Sequence, residues 1–148
     1  MNNRIISATE KLVGPIAGLE KVCFSLPWTE QQIRSQLPDD SHEFIAAVDA
    51  GGELMGYVGM MHVLDEGYIS NVAVAPEYRR QHVGSALIAE LIKKAYDLQL
   101  KFLTLEVRES NIPAQRLYSS FDFLPAGIRK NYYDFPKENA IIMTKFMK

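Results

Sequence analysis

Two side chains suited to proton transfer stand in consecutive segments late in the chain. Glu106 interrupts an apolar run, Leu105-Glu106-Val107, where burial would raise its proton affinity and suit it to act as a base. Tyr118 lies in the segment that follows, a phenol with an unperturbed pKa of about 10 and so a proton donor. Taken singly, a carboxylate bonded to a neighbour and a tyrosine packed on the core would account for both. Further upstream, Val72-Ala73-Val74-Ala75-Pro76 ends an apolar strand and leads through Arg79, Arg80, Gln81 and His82 into a helix that begins at Val83-Gly84-Ser85. A helix start carries unpaired N–H groups and partial positive charge, which suits a phosphate, and Gly84 would let a ligand approach the backbone. A solvated loop capping an ordinary helix is the simpler alternative.

Other reactive residue types are sparse. Cys23 is the sole cysteine and lies beside Phe24, which suits core filler better than a nucleophile. His42, His62 and His82 have no metal-ligand spacing with one another or with Cys23, so no metal is expected. Pro27-Trp28 and Tyr132-Tyr133 offer aromatic walls for a peptide, or packing residues. Asp65, Glu66 and Asp134 could attract a positively charged substrate, or be ordinary solvated turn charges.

The elements that position these groups follow from periodicity and punctuation. A short strand starts at Arg4, and a helix with Pro15 in its first turn runs to about Phe24. Thr29 with Gln32 forms a capping-box pattern that opens a second helix, closed by Pro38. Strands Glu43–Asp49 and Glu53–Leu64 flank the turn Ala50-Gly51-Gly52, and Asp65-Glu66-Gly67 turns the chain into a third, Tyr68–Val74. Together they predict an antiparallel meander. In the helix from Val83, Leu87, Ile88, Leu91, Ile92 and Ala95 recur at the helical period and form a buried stripe. Phe102–Val107 alternates, with Phe102, Thr104 and Glu106 on one face. A helix over Asn111–Phe121, with Pro113 in its first turn, and strands Leu124–Tyr133 and Ala140–Phe146 complete the chain. The order βααβββαβαββ predicts an α+β layered domain.

Composition sets the outer bounds. The chain has 148 residues, 47% hydrophobic and 23% charged, with a formal net charge of −2. That predicts one folded domain over 1–148, not a disordered chain and not a dedicated nucleic-acid binder. No apolar stretch is long enough to span a bilayer, and Met1–Ile6 lacks the apolar segment of a signal peptide. A cytoplasmic protein without a membrane or nucleic-acid partner is expected.

Arg79-Arg80-Gln81-His82-Val83-Gly84 resembles the Gln/Arg-x-x-Gly-x-Gly/Ala loop of the GNAT acyltransferase superfamily, with His82 in place of the first glycine. Histidine tolerates positive φ better than most residues, so the turn is expected to survive. The resemblance implies a GNAT fold, a mixed but mostly antiparallel twisted sheet of about seven strands flanked by about four helices. It implies acetyl-CoA as cosubstrate, without a metal. Residues Arg79 to Ser85 would hold the pyrophosphate, and the backbone of Val72, Ala73 and Val74 the pantetheine arm, at a splay between Tyr68–Val74 and Phe102–Val107. A backbone N–H near Val74 would polarise the thioester carbonyl.

A second set of segments is more specific. Phe24–Glu30, Asn71–Val74, Leu105–Arg108, Ser110-Asn111, Leu117-Tyr118, Arg129–Tyr133 and Asn139–Met143 resemble, in the same order, those of the ribosomal-protein alanine N-acetyltransferases. That resemblance implies Glu106 as base, Tyr118 as acid and Asn111 as a CoA ligand. It implies that Pro27, Trp28, Tyr132 and Tyr133 flank the acceptor, the N-terminal α-amino group of a peptide or protein. A small-subunit ribosomal protein with N-terminal alanine is the acceptor so implied. The enzyme would act as a monomer or weak dimer. A small-molecule amine acceptor and a non-catalytic CoA-binding module are the alternatives. Phe121-Asp122-Phe123 departs from the family's Gly-Phe pair and predicts a left-handed helix cap at Asp122.

Overall fold

The structure, a computed structural model, describes residues 3–147. Thr29 starts its helix as the capping box predicts. Its hydroxyl accepts from the Gln32 N–H at 3.2 Å, and Gln32 Oε1 accepts from the Thr29 N–H at 2.8 Å. The elements are β1 (Arg4–Ser7), a short 3-10 turn (Glu10–Leu12), α1 (Val13–Cys23), α2 (Glu30–Gln36), β2 (His42–Val48), β3 (Leu54–Val63) and β4 (Glu66–Val74). After a 3-10 turn at Pro76–Tyr78 come α3 (Val83–Asp97), β5 (Phe102–Arg108), α4 (Ile112–Ser120), β6 (Leu124–Tyr133) and β7 (Glu138–Phe146). This is the expected α+β order. Two boundaries move by more than a residue at functional edges: Glu66 and Gly67 belong to β4 rather than to the turn, because both pair with β3 and with β5, and β7 begins at Glu138 rather than Ala140, because Glu138 pairs with Tyr133. Asp122 adopts φ 69°, the expected left-handed cap, and the next amide, of Phe123, donates back to the Tyr118 carbonyl at 3.1 Å.

The seven strands form one sheet in the order β1-β2-β3-β4-β5-β7-β6. Every pairing is antiparallel except β4–β5. Alternation along β2 supplies both faces: Phe44, Ala46 and Val48 join α1 and α2 in one buried cluster, whereas Ile45 and Ala47 join α3 in the other. Leu87, Ile88, Leu91 and Ala95 of α3 are buried, and Tyr118 of α4 shares their cluster.

The parallel pairing is brief, spanning only Glu66↔Phe102, Gly67↔Leu103 and Tyr68↔Thr104. At Gly67 the two strands close tightly, since a Cβ there would fall 2.5 Å from Leu103 Cδ2. Just beyond, the β3–β4 register jumps between Met60↔Ile69 and Gly59↔Asn71, which leaves Ser70 as an extra residue on β4. Such a bulge bends its strand and interrupts pairing. β4 therefore turns away from β5, and a cleft opens between them.

Glu20 anchors the segment that borders this cleft. It is wholly buried and accepts from the Trp28 N–H at 2.8 Å, from Asn71 Nδ2 at 2.8 Å and from the Tyr57 hydroxyl. Burial raises its pKa above the ordinary 4.5 against these lowering hydrogen bonds. The raised value means that the folded chain binds this proton more tightly. Its contribution to stability is thus greatest below the unfolded-state value and is lost as pH rises through the folded value. Glu20→Gln should flatten that part of the stability–pH curve in urea unfolding. Glu20→Ala, which strands one buried and two partly buried donors, should cost about 3 kcal/mol; a loss below about 1 kcal/mol would show that the network is not needed.

Candidate active site

The cleft measures roughly 1360 Å³ and draws its walls from distant parts of the chain. Tyr68, Ser70, Val72 and Val74 come from β4, and Arg79, Arg80, His82, Val83, Gly84 and Ser85 from the loop and first turn of α3. Glu106, Arg108, Asn111 and Tyr118 come from β5 and α4. The opposite rim holds Phe24, Ser25 and Leu26 of the α1–α2 loop, Tyr132 and Tyr133 at the end of β6, and Asp134 to Pro136 of the β6–β7 loop.

At the loop before α3, His82 takes up φ 63° and ψ 21°, and Arg80 is also left-handed, at φ 64°. The backbone thus reaches the turn that a glycine would adopt freely. The Ala86 N–H to His82 carbonyl bond, 3.0 Å, opens the helical ladder. The amides of Val83, Gly84 and Ser85 precede that ladder, so they have no intrahelical acceptor and are free for an anion. At Gly84 α3 packs closely on α4, since a Cβ would stand 3.2 Å from Leu117 Cδ2. Arg79 folds back, its Nε donating to the Val74 carbonyl at 3.2 Å. Gln81 donates to the Glu77 carbonyl at 3.2 Å and does not line the cleft. Ala73 is buried on the α1–α2 side, so only its backbone can face a ligand.

Glu106 and Tyr118 both reach the cleft, from β5 and α4. Glu106 is half-buried rather than enclosed, because the splay exposes its face of β5. Its Oε1 accepts from the Tyr68 hydroxyl across the gap. The Tyr118 ring is buried and packs against Phe123 with centroids 5.9 Å apart. Burial, and then Tyr133, push its pKa upward. Burial likewise raises Tyr68, with Glu106 and Tyr132 adding to it, and pushes Tyr133 up to about 12. All three phenols therefore stay protonated at neutral pH and act as donors. Asn111 caps α4, its Oδ1 accepting from the Ala114 N–H at 3.2 Å.

Cys23 packs against the α1–α2 cluster as core filler would, but it is only partly buried and also lines the cleft, its Sγ 3.8 Å from the Val74 carbonyl and 3.7 Å from Arg79 Nη2. Burial raises its pKa nonetheless, with Arg79 opposing, so it is a weak nucleophile. Tyr132 and Tyr133 stand edge to face on the rim, 5.0 Å between centroids. Pro27 and Trp28 lie just behind it, where Trp28 packs edge-on against Phe44 at 6.4 Å; Phe24, Ser25 and Leu26 form the wall instead. Asp65 pairs with Lys101 at 3.5 Å, and neither it nor Glu66 lines the cleft. Tyr68, Ser25 and Arg108 were not singled out in the sequence, because the strand and loops that they meet are remote in the chain. Among the described residues, no group of three or more His, Cys, Asp or Glu is placed to hold a metal ion. No helix there is long and apolar enough to cross a membrane.

The profile of the Acetyltransferase (GNAT) family matches residues 15–123, and the chain belongs to that family. It is an N-acetyltransferase that uses acetyl-CoA. Over 125 residues it is 38% identical to a Bacillus subtilis (strain 168) protein provisionally named a ribosomal protein bS18-alanine N-acetyltransferase, covering 84% of this chain and 83% of the relative. The ribosomal protein bS18-alanine N-acetyltransferase of Escherichia coli (strain K12) is 36% identical over 127 residues, with 84% of each chain covered. The crystal structure of the ribosomal-protein-S18-alanine N-acetyltransferase from Escherichia coli superposes with a TM-score of 0.88 at 33% identity, over 96% of this chain and 92% of that one.

A left-handed non-glycine residue carries a backbone cost. His82→Gly should therefore raise stability by roughly 0.5–1 kcal/mol in urea unfolding, net of the added unfolded-state entropy. An unchanged or lower midpoint would show that the imidazole makes a compensating contact.

Proposed function

We propose that this enzyme acetylates the α-amino group of a protein N-terminus, the N-terminal alanine of a small-subunit ribosomal protein, in the cytoplasm. The named substrate of the similar bacterial enzymes supports the acceptor. One observation supports the chemistry above all: a carboxylate and a protonated phenol reach a single cleft at the point where β4 and β5 part.

Beyond Tyr68 the β4 edge facing β5 has no strand partner among the described residues. The pantetheine arm of acetyl-CoA pairs there with the backbone of Val72, Ala73 and Val74, as an added strand would. The pyrophosphate rests on the amides of Val83, Gly84 and Ser85, with Arg79, Arg80, Gln81 and His82 forming the loop around it and Asn111 reaching the cofactor from the start of α4. A backbone N–H near Val74 donates to the thioester oxygen and stabilises the charge that builds there. Tyr132 and Tyr133, with Pro27 and Trp28 supporting the opposite loop, flank the acceptor.

An α-amino group has a pKa of about 8, so only a modest base is needed to present it neutral. Glu106, directly or through a water, takes the proton that nitrogen loses as it bonds to the carbonyl carbon, and later releases it to solvent. The C–S bond then breaks, and Tyr118 gives its proton to the departing sulfur and regains one from solvent. Desolvation in the cleft disfavours the thiolate as it does the phenolate, which favours its protonation. No covalent enzyme intermediate is needed.

Glu106→Gln and Tyr118→Phe should each lower kcat on an N-terminal alanine peptide by about 100-fold or more, with acetyl-CoA affinity by calorimetry within about twofold of wild type. Full turnover by either variant would refute its role. Acetylation of small amines in place of the peptide would refute the acceptor.

A further inference from the structure

β5 ends at Arg108, one turn of alternation beyond Glu106 and outside the acid–base pair. Its side chain gathers the β6–β7 loop. Nη1 donates to the Pro136 carbonyl at 2.9 Å and to Glu138 Oε1 at 3.2 Å, and Nη2 donates to the Asp134 carbonyl at 3.2 Å. The guanidinium also lies over the Tyr133 ring, 4.4 Å from its centroid. Glu138 is fixed in turn by the Ser110 N–H at 2.5 Å, and that hydrogen bond, with Arg108, holds its carboxyl below the usual carboxylate range.

Residues Asp134 to Lys137 are exposed. Among the described residues, the side-chain hydrogen bonds to their carbonyls come from Arg108 and from Ser25, whose hydroxyl donates to Asp134 at 3.3 Å. The loop lacks a core of its own, so its shape depends on these few contacts. One planar fork satisfies two carbonyls and a carboxylate while stacking on an aromatic face. A lysine ammonium cannot reproduce that set.

We propose that Arg108 is the positioning residue of the acceptor wall: it holds Tyr133 and residues 134–136 in the shape against which the incoming amine-bearing chain binds. This rests on the assignment of that rim to the acceptor in the preceding section. The phosphate-binding loop and α3 form the other end of the cleft and make no hydrogen bond to Arg108 among the described residues. Its backbone is set independently, by pairing with Ala140 and by Gln115 Nε2 on its carbonyl at 3.1 Å. Loss of the side chain therefore leaves the strand that carries Glu106 in place.

The test combines steady-state kinetics with limited tryptic cleavage on wild type, Arg108→Ala and Arg108→Lys. In Arg108→Ala, cleavage after the exposed Lys137 should quicken by about tenfold or more. KM for an N-terminal alanine peptide should rise by about tenfold or more, with kcat within about threefold and KM for acetyl-CoA within about twofold. Arg108→Lys should keep most of the defect, since it restores the charge and not the fork. Unchanged cleavage after Lys137 overturns the proposal, as does an acceptor KM within twofold of wild type or an equal rise in both KM values. If wild type turns over only small amines, the peptide assignment fails. Arg108 is then judged by the same split of KM values on the amine that wild type uses.

Discussion

Strands β4 and β5 are held together over only three residue pairs, and the rest of the functional structure depends on how they part. Gly67 lets them close at one end, while the extra residue at Ser70 bends β4 away at the other. A parallel pair normally satisfies its inner backbone groups along the whole length. Here those groups, past Tyr68, are left to face a cleft. An extended ligand can take the place of the missing strand, and nothing else in the sheet has to open to admit it. The same divergence leaves Glu106 half-exposed in an apolar strand, where a continuous sheet would have covered it.

A sheet opened at its centre needs support on both faces. The α1–α2 cluster and the α3–α4 cluster supply it, each packing against alternate residues of the same strands. Two charged side chains then fix the loops beside the gap. Glu20 holds the α1–α2 loop from beneath through the Trp28 N–H, and Arg108 holds the β6–β7 loop through three acceptors and the Tyr133 ring. The two loops meet at the Ser25–Asp134 contact. Rigid strands thus carry the groups assigned to proton transfer, and anchored loops shape the rim where an acceptor would enter.

The elements were legible because their signals are local. The Thr29–Gln32 box, the stripe from Leu87 to Ala95 and the alternation of Phe102–Val107 each report backbone geometry within a few residues. The positive φ values at His82 and Asp122 were anticipated for the same reason, since backbone tolerance is a property of residue type. Proximity was less legible. The Tyr68 hydroxyl on Glu106, the fork of Arg108 on residues 134–138, and Cys23 beside Val74 all join residues far apart in sequence. The edge of β4 was misjudged at Glu66-Gly67 because a turn-like Asp-Glu-Gly tripeptide became strand once β3 and β5 supplied partners. Trp28 reads equally as an aromatic wall or a packing residue, and its contacts with Phe44 and Glu20 place it as packing behind the cleft wall.

The sequence by itself determined the order of strands and helices, the faces that they bury, the left-handed turn before α3 and the presence of a carboxylate and a phenol on successive elements. Those properties follow from local propensity, period and residue chemistry. The tertiary structure alone decided that β4 and β5 separate after Tyr68, that Glu106 faces the gap rather than the core, and which side chains hold the loops around it. These are outcomes of register and packing between remote segments. A bulge at Ser70 has meaning only against Gly59 of β3, and Arg108 becomes an anchor only when β7 brings the loop of residues 134–137 over it.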